Sequence, residues 1–353
     1  MANDWVGFPP MTGGDPKGHR MQDQKTSPDA ANTTTLADWQ RRITDIGDER
    51  GYYQKLGELH GAMFIDEGTT LIVSFETIEG IRNGSHSQMP FGYRVAEGLG
   101  WSHLCLIADG ETWFRDQAVY RFFDRLVDDA FFEDFDRVVF YGTGMCGYAA
   151  AAYCVTAPGS TVVAIQPQAT LDPRVTEWDA RFTSHRRLNF TDRYGYAPDM
   201  IDGAGEMFLI YDPDEVLDAM HAALFTKPFV TKLRCPHLGN AIELSLLQMD
   251  VLPRVLARAG TGKLDAATFH RLYRARRNHG GYLRGLLARL QDDDRPLLSA
   301  YVCRATLTRI AAPRIRRRLE QVEAELLARG TPLKPARQLG PAVVPAGIAE
   351  AGE

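Results

Sequence analysis

Seven short apolar runs set the rhythm of this chain: Ala62–Ile65, Thr70–Phe75, His103–Ala108, Val138–Tyr141, Thr161–Ile165, Met207–Tyr211 and Val230–Cys235. They are too short for helices and show little polar alternation, which predicts strands buried on both faces. Between them the pattern changes period. Val119, Phe122, Phe123 and Leu126 fall on one face of a helix over Gln117–Val127, and helices also fit Cys146–Thr156, Pro213–Leu224 and Ala241–Leu256. Strands alternating with amphipathic helices predict an α/β fold, a mostly parallel sheet with helices on both faces. The longest stretch without a strand, 166–205, reads as a lid-like insertion. After residue 260 the strand runs stop. Ala266–Arg277, Tyr282–Leu290, Pro296–Ile310 and Pro313–Ala328 have helical spacing with prolines at the breaks. The expected organisation is an α/β domain over 36–260 and a helical appendage over 261–330. A leader over 1–35 and a tail over 331–353 are expected to be disordered.

The stretch Asp136 to Cys154 carries the most specific signal. An apolar strand meets Gly142-Thr143-Gly144-Met145-Cys146-Gly147, and an alanine-rich helix leaves it. This resembles the nucleophile elbow of the α/β-hydrolase superfamily, whose G-x-S-x-G turn exposes a nucleophile above the sheet. The succession of strands and helices matches that resemblance. Gly144 stands where the serine belongs. Glycine tolerates the strained backbone but has no oxygen with which to attack.

The resemblance implies a base, an acid and an oxyanion loop, each at a place along the chain. For the nucleophile, Cys146 is the substitute within the turn, although a thiol there also reads as a small buried filler. The acid slot follows the sixth run, at Asp212 or Asp214. Asp212 as N-cap, Pro213 at the first helical position and Glu215 at the third would equally make a plain helix start. In the base slot, Gly239 is followed by Asn240, an amide that cannot shuttle a proton and is itself a good N-cap. His237 is the nearest titratable residue. Glu76 occupies the oxyanion-loop position, where a negative charge opposes the chemistry. The candidate catalytic set is therefore Cys146, Asp212 and His237. The candidate ligand-binding set is Gly144, Met145, Glu76 and Asn240, with Trp178 and Arg181 from the insertion.

Composition narrows the classes. The 353 residues are 44% apolar and 24% charged, ordinary for a globular protein. No apolar run reaches membrane-spanning length and no secretory pattern opens the chain, so a cytoplasmic protein is expected. Five scattered cysteines (105, 146, 154, 235, 303) suggest neither a disulfide framework nor a Cys-x-x-Cys zinc site; no metal or cofactor is expected. A net charge of −5 argues against a nucleic-acid binder. Acidic residues crowd 109–136, whereas Arg304, Arg309, Arg314, Arg316, Arg317 and Arg318 form a basic run without acids. Gly142-x-Gly144-x-x-Gly147 also satisfies the dinucleotide fingerprint, but after the fourth run rather than the first.

Met145, Gly147, Tyr148, Ala149 and Ala150, with Gln166 to Pro173, resemble hydrolase-like proteins of bacterial surface-glycan and secretion-accessory systems. The whole chain also resembles α-proteobacterial proteins labelled phosphoadenosine phosphosulfate reductase. That label implies a Ser-Gly-Gly phosphate loop and a Glu-Cys-Gly nucleophile segment; Arg234-Cys235-Pro236-His237 lacks both the glutamate and the glycine. The expectation is a catalytically degenerate α/β-hydrolase-like protein that binds a small polar ligand or a protein partner in glycan or cell-envelope assembly. The alternatives are an acyl hydrolase or transferase using Cys146 and His237, and the reductase of the label.

Overall fold

The computed structural model describes residues 35–333; the expected leader and most of the expected tail lie outside them. Eight strands form one sheet: β1 (Gly51–Leu56), β2 (His60–Ile65), β3 (Thr70–Thr77), β4 (Ser102–Ala108), β5 (Arg137–Thr143), β6 (Thr161–Ile165), β7 (Glu206–Tyr211) and β8 (Val230–Arg234). Their order is β1-β2-β4-β3-β5-β6-β7-β8. The β1–β2 and β2–β4 pairs are antiparallel and the rest are parallel. This is an α/β fold built on a mostly parallel sheet. All seven predicted strands are present; β1 is the addition. Its Gly-Tyr-Tyr-Gln-Lys-Leu is mostly exposed or half-buried, with only Leu56 buried, so an edge position erased the apolar signature. At the other edge, β8 exposes Lys232 and Arg234.

The helices are α1 (Leu36–Arg50), α2 (Ile78–Gly84), α3 (Phe91–Leu99), α4 (Gln117–Asp128), α5 (Met145–Tyr153), α6 (Pro173–Thr176), α7 (Ala197–Met200), α8 (Val216–Leu224), α9 (Ile242–Gln248), α10 (Leu252–Gly260), α11 (Ala266–Leu272), α12 (Gly280–Asp292), α13 (Pro296–Leu307) and α14 (Pro313–Ala328). Alternate strand residues face opposite sides of the sheet. Val73, Phe75, Leu104, Leu106 and Phe140 pack into a core with α4 and the fully buried α5. Met63, Ile65, Cys105 and Ile107 face Trp39 and Ile43 of α1 and Tyr93 of α3. Phe75, 1% exposed, lies 5.0 Å from the Phe114 ring and 5.6 Å from that of Tyr153. Burying such a ring stabilises the fold by roughly 1.5–3 kcal/mol.

Three local expectations are corrected. Asp212 does not cap α8, which starts at Val216 with Glu215 as N-cap and no side-chain capping bond. Asn240 does not cap α9: Ala241 is the N-cap and Asn240 is exposed. The single helix expected over Ala241–Leu256 is two, α9 and α10, because Asp250 adopts a left-handed φ of 54° that no helix can continue.

The chain divides into a unit ending at His279 and another beginning at Gly280. The break falls later than the change of pattern near residue 260, since Phe269 of α11 and the following Tyr273 are buried within the first unit. In the second unit α13 and α14 close over Ala300, Val322 and Leu326. No helix among the described residues is long and apolar enough to cross a membrane.

Candidate functional site

The strand-to-helix turn after β5 is built around three glycines. Gly144 has φ 55° and ψ −122°, a region that strongly disfavours side chains. A Cβ at Gly142 would lie 2.2 Å from the Cys146 carbonyl oxygen, and one at Gly147 would lie 3.1 Å from the carbonyl oxygens of Gly142 and Ile165. The G-x-G-x-x-G spacing is thus explained by tight packing of turn, helix and sheet. At Gly144 itself an added Cβ meets nothing within 4 Å. The turn is strained and open, and carries no side chain. Met145, beside it, is occupied: its sulfur accepts the backbone N–H of Trp113 at 3.0 Å.

Two carboxyl groups that the topology brings together flank this region. Glu76, at the end of β3, accepts the N–H groups of Phe91 (2.7 Å) and Gly92 (2.9 Å) at the start of α3, and the Ser74 hydroxyl at 2.8 Å. It thereby caps a helix whose own N-cap, Pro90, offers no side-chain bond. Burial outweighs these bonds and pushes its pKa up to about 7, with the charge of Glu243 adding to the rise. Glu243, in the first turn of α9, accepts the Tyr141 hydroxyl, and the Thr143 hydroxyl lies against the same carboxyl. Burial raises its pKa as well. Arg94, one turn into α3, supplies the nearby positive charge; burial lowers its pKa while Glu76 and Tyr141 oppose that shift. The sequence did not single out Glu243, Tyr141 or Arg94. An acid in a first helical turn is ordinary, and strand pairing alone carries Tyr141 toward it.

Asp212 and His237 of the expected catalytic set each have partners outside it. Cys146 is 8% exposed; burial first, then the charges of Glu243 and Glu76, push its thiol well above the usual range. His237, at a left-handed φ of 66°, places Nδ1 3.0 Å from Asp214 Oδ2. Asp212 gives its carboxylate to the backbone N–H groups of Asp214, Leu238 and Gly239. The base slot, Asn240, is an exposed amide. Cys235, the nearest counterpart of a reductase thiol, is buried, which pushes its pKa up to about 12.

The insertion residues serve a different purpose. Arg181 pairs with Asp179 at 2.8 Å and with Asp218 of α8 at 2.7 Å. His221 receives the Ala169 N–H on Nδ1, so Nε2 bears its hydrogen and donates to Asp179 at 3.0 Å. Trp178 packs on His221, ring centroids 4.6 Å apart, and Gln166 donates to Asp218. Half-buried Trp178 and exposed Arg181 thus join the buried Asp179, Asp218 and His221 in a network that links the insertion to α8.

The chain matches no protein-family model, and no curated protein matches it. Among solved structures it is similar to a capsule O-acetyltransferase of Neisseria meningitidis serogroup A (11% identity, TM-score 0.38, 57% of this chain and 94% of that one). It is also similar to an esterase of Pyrobaculum calidifontis (13% identity, TM-score 0.40, 68% and 96%). A third is the Gap123 glycosylation-associated protein complex of Streptococcus agalactiae (14% identity, TM-score 0.40, 57% and 44%). At these identities the likeness concerns the fold alone.

Proposed function

We propose that this chain is a hydrolase-fold protein without acyl-transfer chemistry, and that the open turn over Gly144 binds a hydroxyl-rich ligand in glycan or cell-envelope assembly. The observation that carries this reading is the open Cβ direction at Gly144 beside Glu76 and Glu243, two carboxyl groups whose pKa values are raised. A carboxyl whose charge is disfavoured by burial accepts a hydroxyl hydrogen but repels a second negative charge, which matches a sugar hydroxyl better than an anion. Acyl transfer would need a base to take a proton from a nucleophile; the turn offers a glycine, and Asn240 is an amide.

Calorimetric titration of the full chain with neutral mono- and oligosaccharides, alongside their O-acetylated forms, tests this reading. Saturable binding that weakens at least tenfold in Glu243→Ala, without release of acetate, is expected. Turnover of the acetylated forms that disappears in Cys146→Ala would overturn it, as would absence of binding across the panel.

A further inference from the structure

We infer that the face of the sheet beneath the start of α3 holds a soft divalent cation, zinc best fitting the donors, ligated by Glu76, His103 and Cys105. The inference stands apart from the ligand reading above and shares only Glu76 with it. A nitrogen of His103, the sulfur of Cys105 and a carboxylate oxygen of Glu76 all lie within 4.8 Å of one another. The pairing of β3 and β4 places them there. In register, Ile72 opposes His103, Ser74 opposes Cys105 and Glu76 opposes Ile107, so alternate residues of both strands share one face.

The resting hydrogen bonds leave a donor unsatisfied. Ser74 Oγ lies 2.8 Å from Glu76 Oε1 and 2.8 Å from His103 Nε2. Its one proton goes to the carboxylate, so it accepts the hydrogen of His103 Nε2, and the imidazole lone pair falls on Nδ1. That nitrogen is buried without a hydrogen-bond partner. An unpaired acceptor in a protein interior carries a desolvation cost, which a metal bound through Nδ1 would relieve.

Charge and chemistry agree with zinc. A thiolate, a carboxylate and a neutral imidazole around a divalent cation sum to zero charge, and these three donor types are those zinc prefers. Tetrahedral zinc would hold donor atoms roughly 3.3–3.8 Å apart, so the three must close by about 1 Å. Ser74 stands at the centre as the adjacent oxygen. The cover is main chain: a Cβ at Gly92 would lie 2.6 Å from both His103 Nε2 and Ser74 Oγ. Only glycine lets α3 settle this low. Glu76, half-buried while Ser74, His103 and Cys105 are fully buried, provides the way in.

Cobalt(II) titration of the full chain, freed of metal by chelator dialysis, tests the site. One equivalent is expected to produce a thiolate-to-cobalt charge-transfer band, displaced by zinc. Cys105→Ser should abolish the band, and His103→Gln should weaken binding roughly tenfold or more. A folded wild-type chain without the band, or a band that persists in Cys105→Ser, overturns the inference. Should Cys105→Ser not fold, X-ray absorption of the zinc-loaded wild type decides: a sulfur with nitrogen and oxygen neighbours supports the site, and a shell without sulfur removes it.

Discussion

The carboxylate of Asp212 accepts the backbone N–H of Gly239 at 2.7 Å and that of Leu238 at 2.8 Å. At the end of β7, a buried carboxylate clamps the loop after β8. Hydrogen bonds to a charged acceptor contribute about 1.5–3 kcal/mol each, and buried donors left alone cost more. Asp212→Ala should therefore lose roughly 2–4 kcal/mol of stability in urea unfolding. An unchanged unfolding midpoint would contradict the clamp.

Gly142 and Gly144 should respond differently to alanine. Gly144→Ala meets only backbone strain, about 1–3 kcal/mol, because its Cβ enters open space. Gly142→Ala places a methyl 2.2 Å from the Cys146 carbonyl oxygen, and the strand–helix junction must move. Thermal melts should show a folded Gly144→Ala and a severely destabilised or insoluble Gly142→Ala. Gly144→Ser should also fold and remain inert toward esters.

All five cysteines are buried. The thiols of Cys105 and Cys146 are held well above their usual pKa by burial first, then by Glu76 and other nearby charges. Mass spectrometry after brief iodoacetamide treatment of the metal-free chain should find little labelling until denaturant is added. Rapid, selective labelling of Cys146 would restore it as a nucleophile.

His221 gives the fold an acid limit. Burial lowers its pKa below 6.5, although hydrogen bonding and charge from Asp179 oppose the shift; Arg181 adds to it, and Asp218 opposes it. The unfolded chain takes up a proton as pH falls below about 6.5 while the folded chain resists, so stability declines in that direction by up to about 1.4 kcal/mol per pH unit. Above this range the imidazole is neutral in both states and adds no slope. Asp179, whose folded pKa is depressed through Arg181 and His221 despite burial, loses its contribution at lower pH still. Chemical unfolding between pH 7.5 and 5 should show the decline, and His221→Gln should reduce its slope, with buried His60 and His103 carrying the remainder.

Much of the sheet was legible because strands covered on both faces write unbroken apolar runs. Edge strand β1 left no such mark. The α9–α10 break, where Asp250 turns left-handed, is marked in the sequence only by Pro253 in the first turn of α10, a position that a continuous apolar period overrides. Asp212 and Asn240 misled in one way: each has a sound local explanation as a cap, but Asp212 is claimed by amides at Leu238 and Gly239, and α9 starts beyond Asn240. The turn at Gly144 was visible from its glycines. Glu76 was singled out from its place after the second apolar run, but Glu243 was not, since the two come together only when β3 and α9 lie over the same end of the sheet.

The free border of β8 limits how the sheet can grow. Lys232 and Arg234 project from the exposed positions of this last strand, and a second molecule approaching border to border would bring cations against cations. Like charges along an unpaired edge discourage further strand addition. Among the described residues the ladder ends with the eighth strand, and its cations disfavour extension by a second copy of the same edge.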